Sequence, residues 1–222
     1  METKNLNERK VVEYVCTGNH GRSPMAAAIA NTHAKDLKVE SKIDIRSAGS
    51  AVTKFITLDF PAEELLPYID KALTKGFLTE YKDFVITETA KKAIQSKGAD
   101  ITAVRTIIAR MADFEECYRN VVISEMLDPE TRRGIVVVPH VPKQLVKSDE
   151  TDFILTMGAS NKKVVVEIYG MATRPIISTL GEFTGSPTVQ IPDPFGGTLQ
   201  EYRDMAEALK PLIRKSLELI LV

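Results

Sequence analysis

Apolar positions in this chain follow two rhythms, and their alternation predicts an architecture. The run Val11-Val12-Glu13-Tyr14-Val15 is short, β-branched and aromatic, and a Gly/Asn-containing stretch follows it, which predicts a strand. After a loop from Cys16 to Arg22, Ser23 and Pro24 stand where an N-cap and a first helical residue belong, ahead of the alanine-rich helix MAAAIANTHAK. Ile43 to Ser47, Asp152 to Met157 and Arg174 to Leu180 predict three more strands, and Ser160 to Tyr169 a helix closed by Gly170. Toward the end, Leu199, Tyr202, Met205, Ala206, Leu209, Leu212 and Ile213 recur at threes and fours, predicting a long amphipathic helix from Leu199 to Leu221. Strands alternating with helices imply an α/β fold: a doubly wound open parallel sheet of about four strands with helices on both faces.

Between residues 54 and 139 the rhythm changes. Pro61 to Lys75, Glu88 to Lys97 and Thr102 to Tyr118 predict helices, with only Val121 to Ile123 and Ile135 to Val138 as strand candidates. The expected organisation is therefore one domain over residues 1–222 with a mostly helical insertion at 54–139. That insertion shows no chemistry of its own in the sequence. Access to the site, self-association or neither are the alternatives open for it.

Composition narrows the function. A chain of 222 residues, 44% hydrophobic, buries a substantial core, and 29 basic against 30 acidic residues give nucleic acid or an anionic membrane no support as partner. No apolar stretch approaches the ~20 residues of a spanning helix, and the polar opening METKNLNERK lacks a secretory signal, so the expected location is the cytoplasm. Two cysteines, Cys16 and Cys117, make no secreted-type disulfide framework, and the three histidines show no metal-ligand spacing. Neither a metal nor a nucleotide cofactor is expected, because the glycine fingerprints of nucleotide loops are missing.

The chemistry concentrates in Cys16-Thr17-Gly18-Asn19-His20-Gly21-Arg22-Ser23-Pro24. Five residues between Cys and Arg let the backbone curl until its N–H groups converge on one point, with Gly18 and Gly21 expected to supply unusual dihedrals. The helix behind adds its positive end to the same point. Such donors favour a thiolate, so Cys16 is expected to be ionised at neutral pH as a nucleophile for phosphorus. Arg22 offers a planar fork for two phosphate oxygens, and the Ser23 hydroxyl a hydrogen bond to the sulfur. A leaving group also needs a proton, and Asp193, between Pro192 and Pro194 in a loop before the terminal helix, is the candidate acid. Phe195 beside it is read as a wall for an aromatic substrate ring, the plainer alternative being a core plug.

These residues resemble the low-molecular-weight protein tyrosine phosphatase family, whose loop reads approximately V-C-x-G-N-x-C-R-S-P and whose acid loop reads D-P-Y or D-P-F. The resemblance covers about residues 11–53 and 139–222. It implies Cys16 as nucleophile, Arg22 as phosphate-binding arginine, Ser23 as the hydroxyl assisting the thiolate, Asp193 as general acid, and Thr17 to Gly21 as the substrate cradle. Asn19 matches the asparagine that holds the loop in shape, with Ser47 and His140 as its supports. Asp152 to Met157 with Ser160-Asn161 matches a further family segment. Gly21 replaces the family's usual second cysteine, and Gly158 an aspartate. His20 occupies the variable position that helps choose between phosphotyrosine and phosphoarginine, and is neither of the residues expected for those cases.

The implied activity is hydrolysis of a phosphate monoester on a protein or small molecule, with protein phosphotyrosine foremost. A phosphoarginine phosphatase, a thioredoxin-coupled arsenate reductase, for which only Cys117 could relay a disulfide, and a non-catalytic phosphate-binding module are the alternatives.

Overall fold

The computed structural model describes residues 9–53, 115–126, 140–170 and 173–222. Four strands, β1 (Lys10–Cys16), β2 (Ile43–Gly49), β3 (Phe153–Thr156) and β4 (Ile176–Thr179), form one sheet in the order β2-β1-β3-β4. Every neighbouring pair is parallel. The helices are α1 (Arg22–Asp36), α2 (115–126), α3 (Ala159–Tyr169), α4 (Leu180–Phe183) and α5 (Leu199–Ile220). The doubly wound α/β sheet of four strands is thus as the sequence predicts. Among the described residues no helix is long and apolar enough to cross a membrane.

Pleating of β1 divides the core. Val12, Tyr14 and Cys16 join the larger apolar cluster with Met25, Ala26 and Ile29 of α1 and with Met205, Leu209 and Ile213 of α5. Val15 turns to the opposite face, where Ala48, Leu145, Ile154, Val165 and Tyr169 make a smaller cluster under α3. The predicted stripe of the last helix is the buried one, and Thr198 and Glu201 close its start in a reciprocal capping box.

One element differs from expectation. Val121 to Ile123, read as a strand, lies inside α2, and the helix predicted to stop near Tyr118 runs on to 126. Spacing explains it: Glu115, Tyr118, Arg119 and Val122 are buried at threes and fours, one helical face, while Val121 is 37% exposed. Tyr118 packs its ring 5.5 Å from that of Tyr202, and Arg203 of α5 grips Glu125 with two hydrogen bonds of 2.9 and 2.7 Å. The sequence-predicted helices at 61–75 and 88–97, the first part of 102–118 and the strand at 135–138 lie outside the described residues.

Strand order reverses between β1 and β3, and in open α/β sheets the crevice beyond the carboxyl ends at such a point binds ligands. Cys16 is the last residue of β1 and stands at that crevice.

Candidate active site

A sharp loop carries the chain from β1 into α1. Helix α1 begins at Arg22 with Gly21 as N-cap, so Ser23 and Pro24 sit inside the first turn rather than at its threshold. The left-handed residue of the loop is Asn19, at φ 56°, and neither Gly18 nor Gly21 has a positive φ. Asparagine tolerates that region, and its side chain supplies the compensation. Its Nδ2 donates to Ser23 Oγ at 2.9 Å and to Ser47 Oγ at 3.1 Å. Its Oδ1 accepts from the Lys143 amide at 2.9 Å and faces His140 Nε2 at 3.1 Å. Gly49, at the end of β2, lets the loop come this close: a β-carbon there would stand 2.7 Å from the Thr17 carbonyl oxygen and 2.9 Å from the Asn19 nitrogen.

Two loop carbonyls are pinned from outside. His140 Nε2 lies 2.8 Å from the Asn19 carbonyl, and Arg119 donates to the His20 carbonyl at 2.6 Å. Both partners of Nε2 are acceptors, so that nitrogen carries the proton, and burial with the Arg119 charge lowers the His140 pKa, keeping the ring neutral. A trans peptide points its N–H opposite to its C=O. Holding these carbonyls outward turns the N–H groups of His20 and Gly21 the other way, toward the concave side where an anion would sit.

The nucleophile candidate is buried, with Cys16 Sγ 3.0 Å from Ser23 Oγ. Ser23 also lies 3.1 Å from the Ala48 carbonyl, to which its hydroxyl donates. With that single proton on Ala48, the thiol donates to Ser23; a thiolate needs Ser23 to rotate its proton toward sulfur. Burial pushes the Cys16 pKa up, Arg22 and then the Ser23 hydrogen bonds pull it back, and the Glu115 carboxyl adds to the rise. The net direction is upward, because the desolvation of the enclosed sulfur outweighs the charges beside it.

Arg22 meets the acid loop directly, its guanidinium 2.6 Å from Asp193 Oδ2. The other Asp193 oxygen accepts the Phe195 amide at 3.2 Å, folding Asp193-Pro194-Phe195 into a tight turn. Phe195 itself is 4% exposed and belongs to the main core cluster. It is a core plug, and the reading of its ring as a substrate wall is corrected. Thr17 receives a hydrogen bond from Asn161 at 3.0 Å, and Asn161 also reaches Ser50 at 3.4 Å. Gly158 caps the start of α3 in extended backbone, and a β-carbon there would meet only Asn161 Oδ1 at 3.8 Å, so a side chain at this position has room.

Sequence reasoning missed two residues of α2. Arg119, 2% exposed, places its donors on the His20 carbonyl, Glu116 and Asn120. Glu115, 5% exposed, lays its carboxyl against Gly21, where an added β-carbon would overlap it and stand 2.9 Å from Cδ. Space, not dihedral freedom, is what glycine provides at position 21. Burial foremost, with Asp193 next, raises the Glu115 pKa to about 8, against the pull of Arg22, Arg119 and a hydrogen bond from Tyr202. The available signal was spacing, since 115, 118, 119 and 122 share one helical face with two apolar residues. Cys117, one step around, is exposed. His33 is half-buried on α1 with Nδ1 3.8 Å from Asp36. Among the described residues no group of three or more His, Cys, Asp or Glu could hold a metal ion.

A parallel sheet that delivers a cysteine into a loop of inward amides, with an arginine at the helix start, defines the scaffold of a cysteine-based phosphatase. More particularly, residues 11–64 match the family model described as low molecular weight phosphotyrosine protein phosphatase, and the chain has that family's fold. Solved structures extend the likeness over nearly the whole chain. The low molecular weight protein tyrosine phosphatase from T. tengcongensis is 25% identical, with a TM-score of 0.54 and coverage of 94% of this chain and 98% of that one. The arginine phosphatase from Geobacillus stearothermophilus is 22% identical at a TM-score of 0.53, covering 95% and 92%. A protein tyrosine phosphatase from Entamoeba histolytica is 18% identical at 0.55, covering 94% and 95%. No curated protein matches the chain by sequence.

Proposed function

We propose that this chain hydrolyses phosphate monoesters through a phosphocysteine formed on Cys16, with protein phosphotyrosine as the foremost substrate class. One observation carries the reading: the Cys16 sulfur lies 3.0 Å from Ser23 while Arg22, from the same loop, pairs at 2.6 Å with Asp193 of the acid loop. In this scheme an incoming phosphate takes the Arg22 fork and the loop amides, and Asp193 is released toward the ester oxygen. The Cys16 thiolate, its proton lost to solvent, bonds to phosphorus as the P–O ester bond breaks, and protonated Asp193 gives its proton to the departing oxygen. Water then attacks phosphorus, with Asp193 accepting its proton and the sulfur leaving toward the Ser23 hydroxyl. Thr17, Gly18, Asn19, His20 and Gly21 form the cradle in this scheme, with Ser47 and His140 as its supports.

The chemistry requires no metal or cofactor, and a free thiol suits a reducing compartment such as the cytoplasm. The test is hydrolysis of p-nitrophenyl phosphate without metal by wild type, Cys16→Ser and Asp193→Ala. Cys16→Ser abolishes turnover, and Asp193→Ala slows it by ~10²-fold or more. Undetectable wild-type turnover between about pH 5 and 8 would leave a non-catalytic phosphate-binding module. A phosphopeptide panel carrying phosphotyrosine and phosphoarginine separates those two substrates, and thioredoxin oxidation dependent on arsenate and Cys117 would indicate the reductase.

A further inference from the structure

Helix α2 brings a carboxyl group to a place where an anion-binding loop gains nothing from one. Glu115 lies against Gly21, inside the loop that carries Cys16 and Arg22, and is almost wholly enclosed. The charged and titratable groups that face it are Cys16 and Arg22 of the loop, Asp193 of the acid loop, Tyr202 of α5 and Arg119 one turn along its own helix. The cations there already have partners: Arg22 holds Asp193 at 2.6 Å, and Arg119 directs its donors to the His20 carbonyl, Glu116 and Asn120. A second carboxylate added to that set would meet Asp193 with like charge, in a setting where water screens little.

We propose that Glu115 is a proton-controlled gate on oxyanion binding: neutral, it fills the space over Gly21 and leaves the positive field of the loop to a phosphate; ionised, it claims that field and shuts anions out. The proposal rests on the reading of the loop as a phosphate cradle. Its geometry is specific, because a β-carbon at position 21 would overlap the carboxyl, and the Tyr202 hydrogen bond holds it there. Burial and Asp193 keep the group protonated at neutral pH, so the gate stands open there and closes above about pH 8. Tyr202 titrates far above this range and His140 below its usual value.

The probe is tungstate, a tetrahedral oxyanion that stays doubly charged across the range, and the Cys16→Ser protein removes the thiol as a second titrating group. Calorimetric affinities for tungstate are measured between about pH 6.5 and 9.5. Cys16→Ser loses about tenfold or more in affinity across that range, the effect of one new charge beside a dianion, and Cys16→Ser with Glu115→Gln holds within about twofold. Glu115→Ala in the same background repeats the flat profile and guards against a folding artefact of the amide. An equal loss with and without Glu115, or no loss in Cys16→Ser, overturns the gate while leaving the cradle standing. Absence of tungstate binding at every pH overturns the cradle and the gate with it.

Discussion

Asn19 is where the shape of the loop is most exposed to a single substitution. It is fully buried, left-handed at φ 56°, and its side chain makes two donated and two accepted hydrogen bonds, to Ser23, Ser47, Lys143 and His140. Two of these partners keep an alternative, since His140 retains the Asn19 carbonyl and Ser23 retains Ala48 and Cys16. Ser47 and the Lys143 amide lose theirs and are only partly reached by water. At about 1 kcal/mol for a lost bond and somewhat more for a group left unsatisfied, Asn19→Gly costs about 3 kcal/mol. Asn19→Ala adds the left-handed penalty of a β-carbon, about 1 kcal/mol more, for a total near 4 kcal/mol. Urea unfolding followed by circular dichroism reads both, and the order is the sharper test: glycine must be the milder change although it is the more flexible chain. Alanine equal to or better than glycine, or a total cost below about 1 kcal/mol, would refute the reasoning.

Three further outcomes follow from the same contacts. Gly21→Ala forces its β-carbon into the Glu115 carboxyl and lowers stability by about 1–3 kcal/mol in thermal melts, a cost that shrinks when Glu115→Ala is combined with it; strict additivity would contradict the overlap. Folding raises Glu115 from 4.5 to about 8, so the folded state keeps a proton the unfolded chain releases. This contribution is fully present below 4.5 and falls as pH rises toward 8, so the melting temperature of wild type drops relative to Glu115→Gln over that window, and parallel curves would refute it. Ser23→Ala removes a group that pulls the Cys16 pKa down, so in a Cys117→Ser background the iodoacetamide alkylation profile moves to higher pH; a shift the other way would show that Ser23 favours the thiol.

Much of this site could be read from residue order alone, for reasons that are local. Strand β1, the loop and α1 follow from a β-branched run, a Cys-x5-Arg spacing and an alanine-rich stretch. The meeting of Asn19, Ser47 and His140 came from a family resemblance over the segments that hold them. What could not be read depends on what docks where. Glu115 and Arg119, four apart on a helix, look like an ordinary surface ion pair, and only the docking of α2 against α5 and the loop buries them. The β-branched residues Val121 to Ile123 advertise a strand, yet Val122 serves the same helical stripe as Tyr118, and tertiary packing overrides propensity. Phe195 faces inward because the Asp193 turn rotates it there, and the Cys16 thiol is raised because enclosure outweighs its neighbours.

The overlap between position 21 and Glu115 also makes the order of substitutions matter. With Glu115 in place, a cysteine at position 21, the family's usual residue there, brings its β-carbon into the carboxyl, so the change toward that residue is costly until Glu115 shrinks. Traversed in the opposite direction, a carboxyl could enter only after glycine had opened the space. The two positions, some ninety residues apart in the sequence, therefore constrain the order in which each can change. Exchanging the loop of this chain for a relative's, without its distant counterpart, would carry that steric cost.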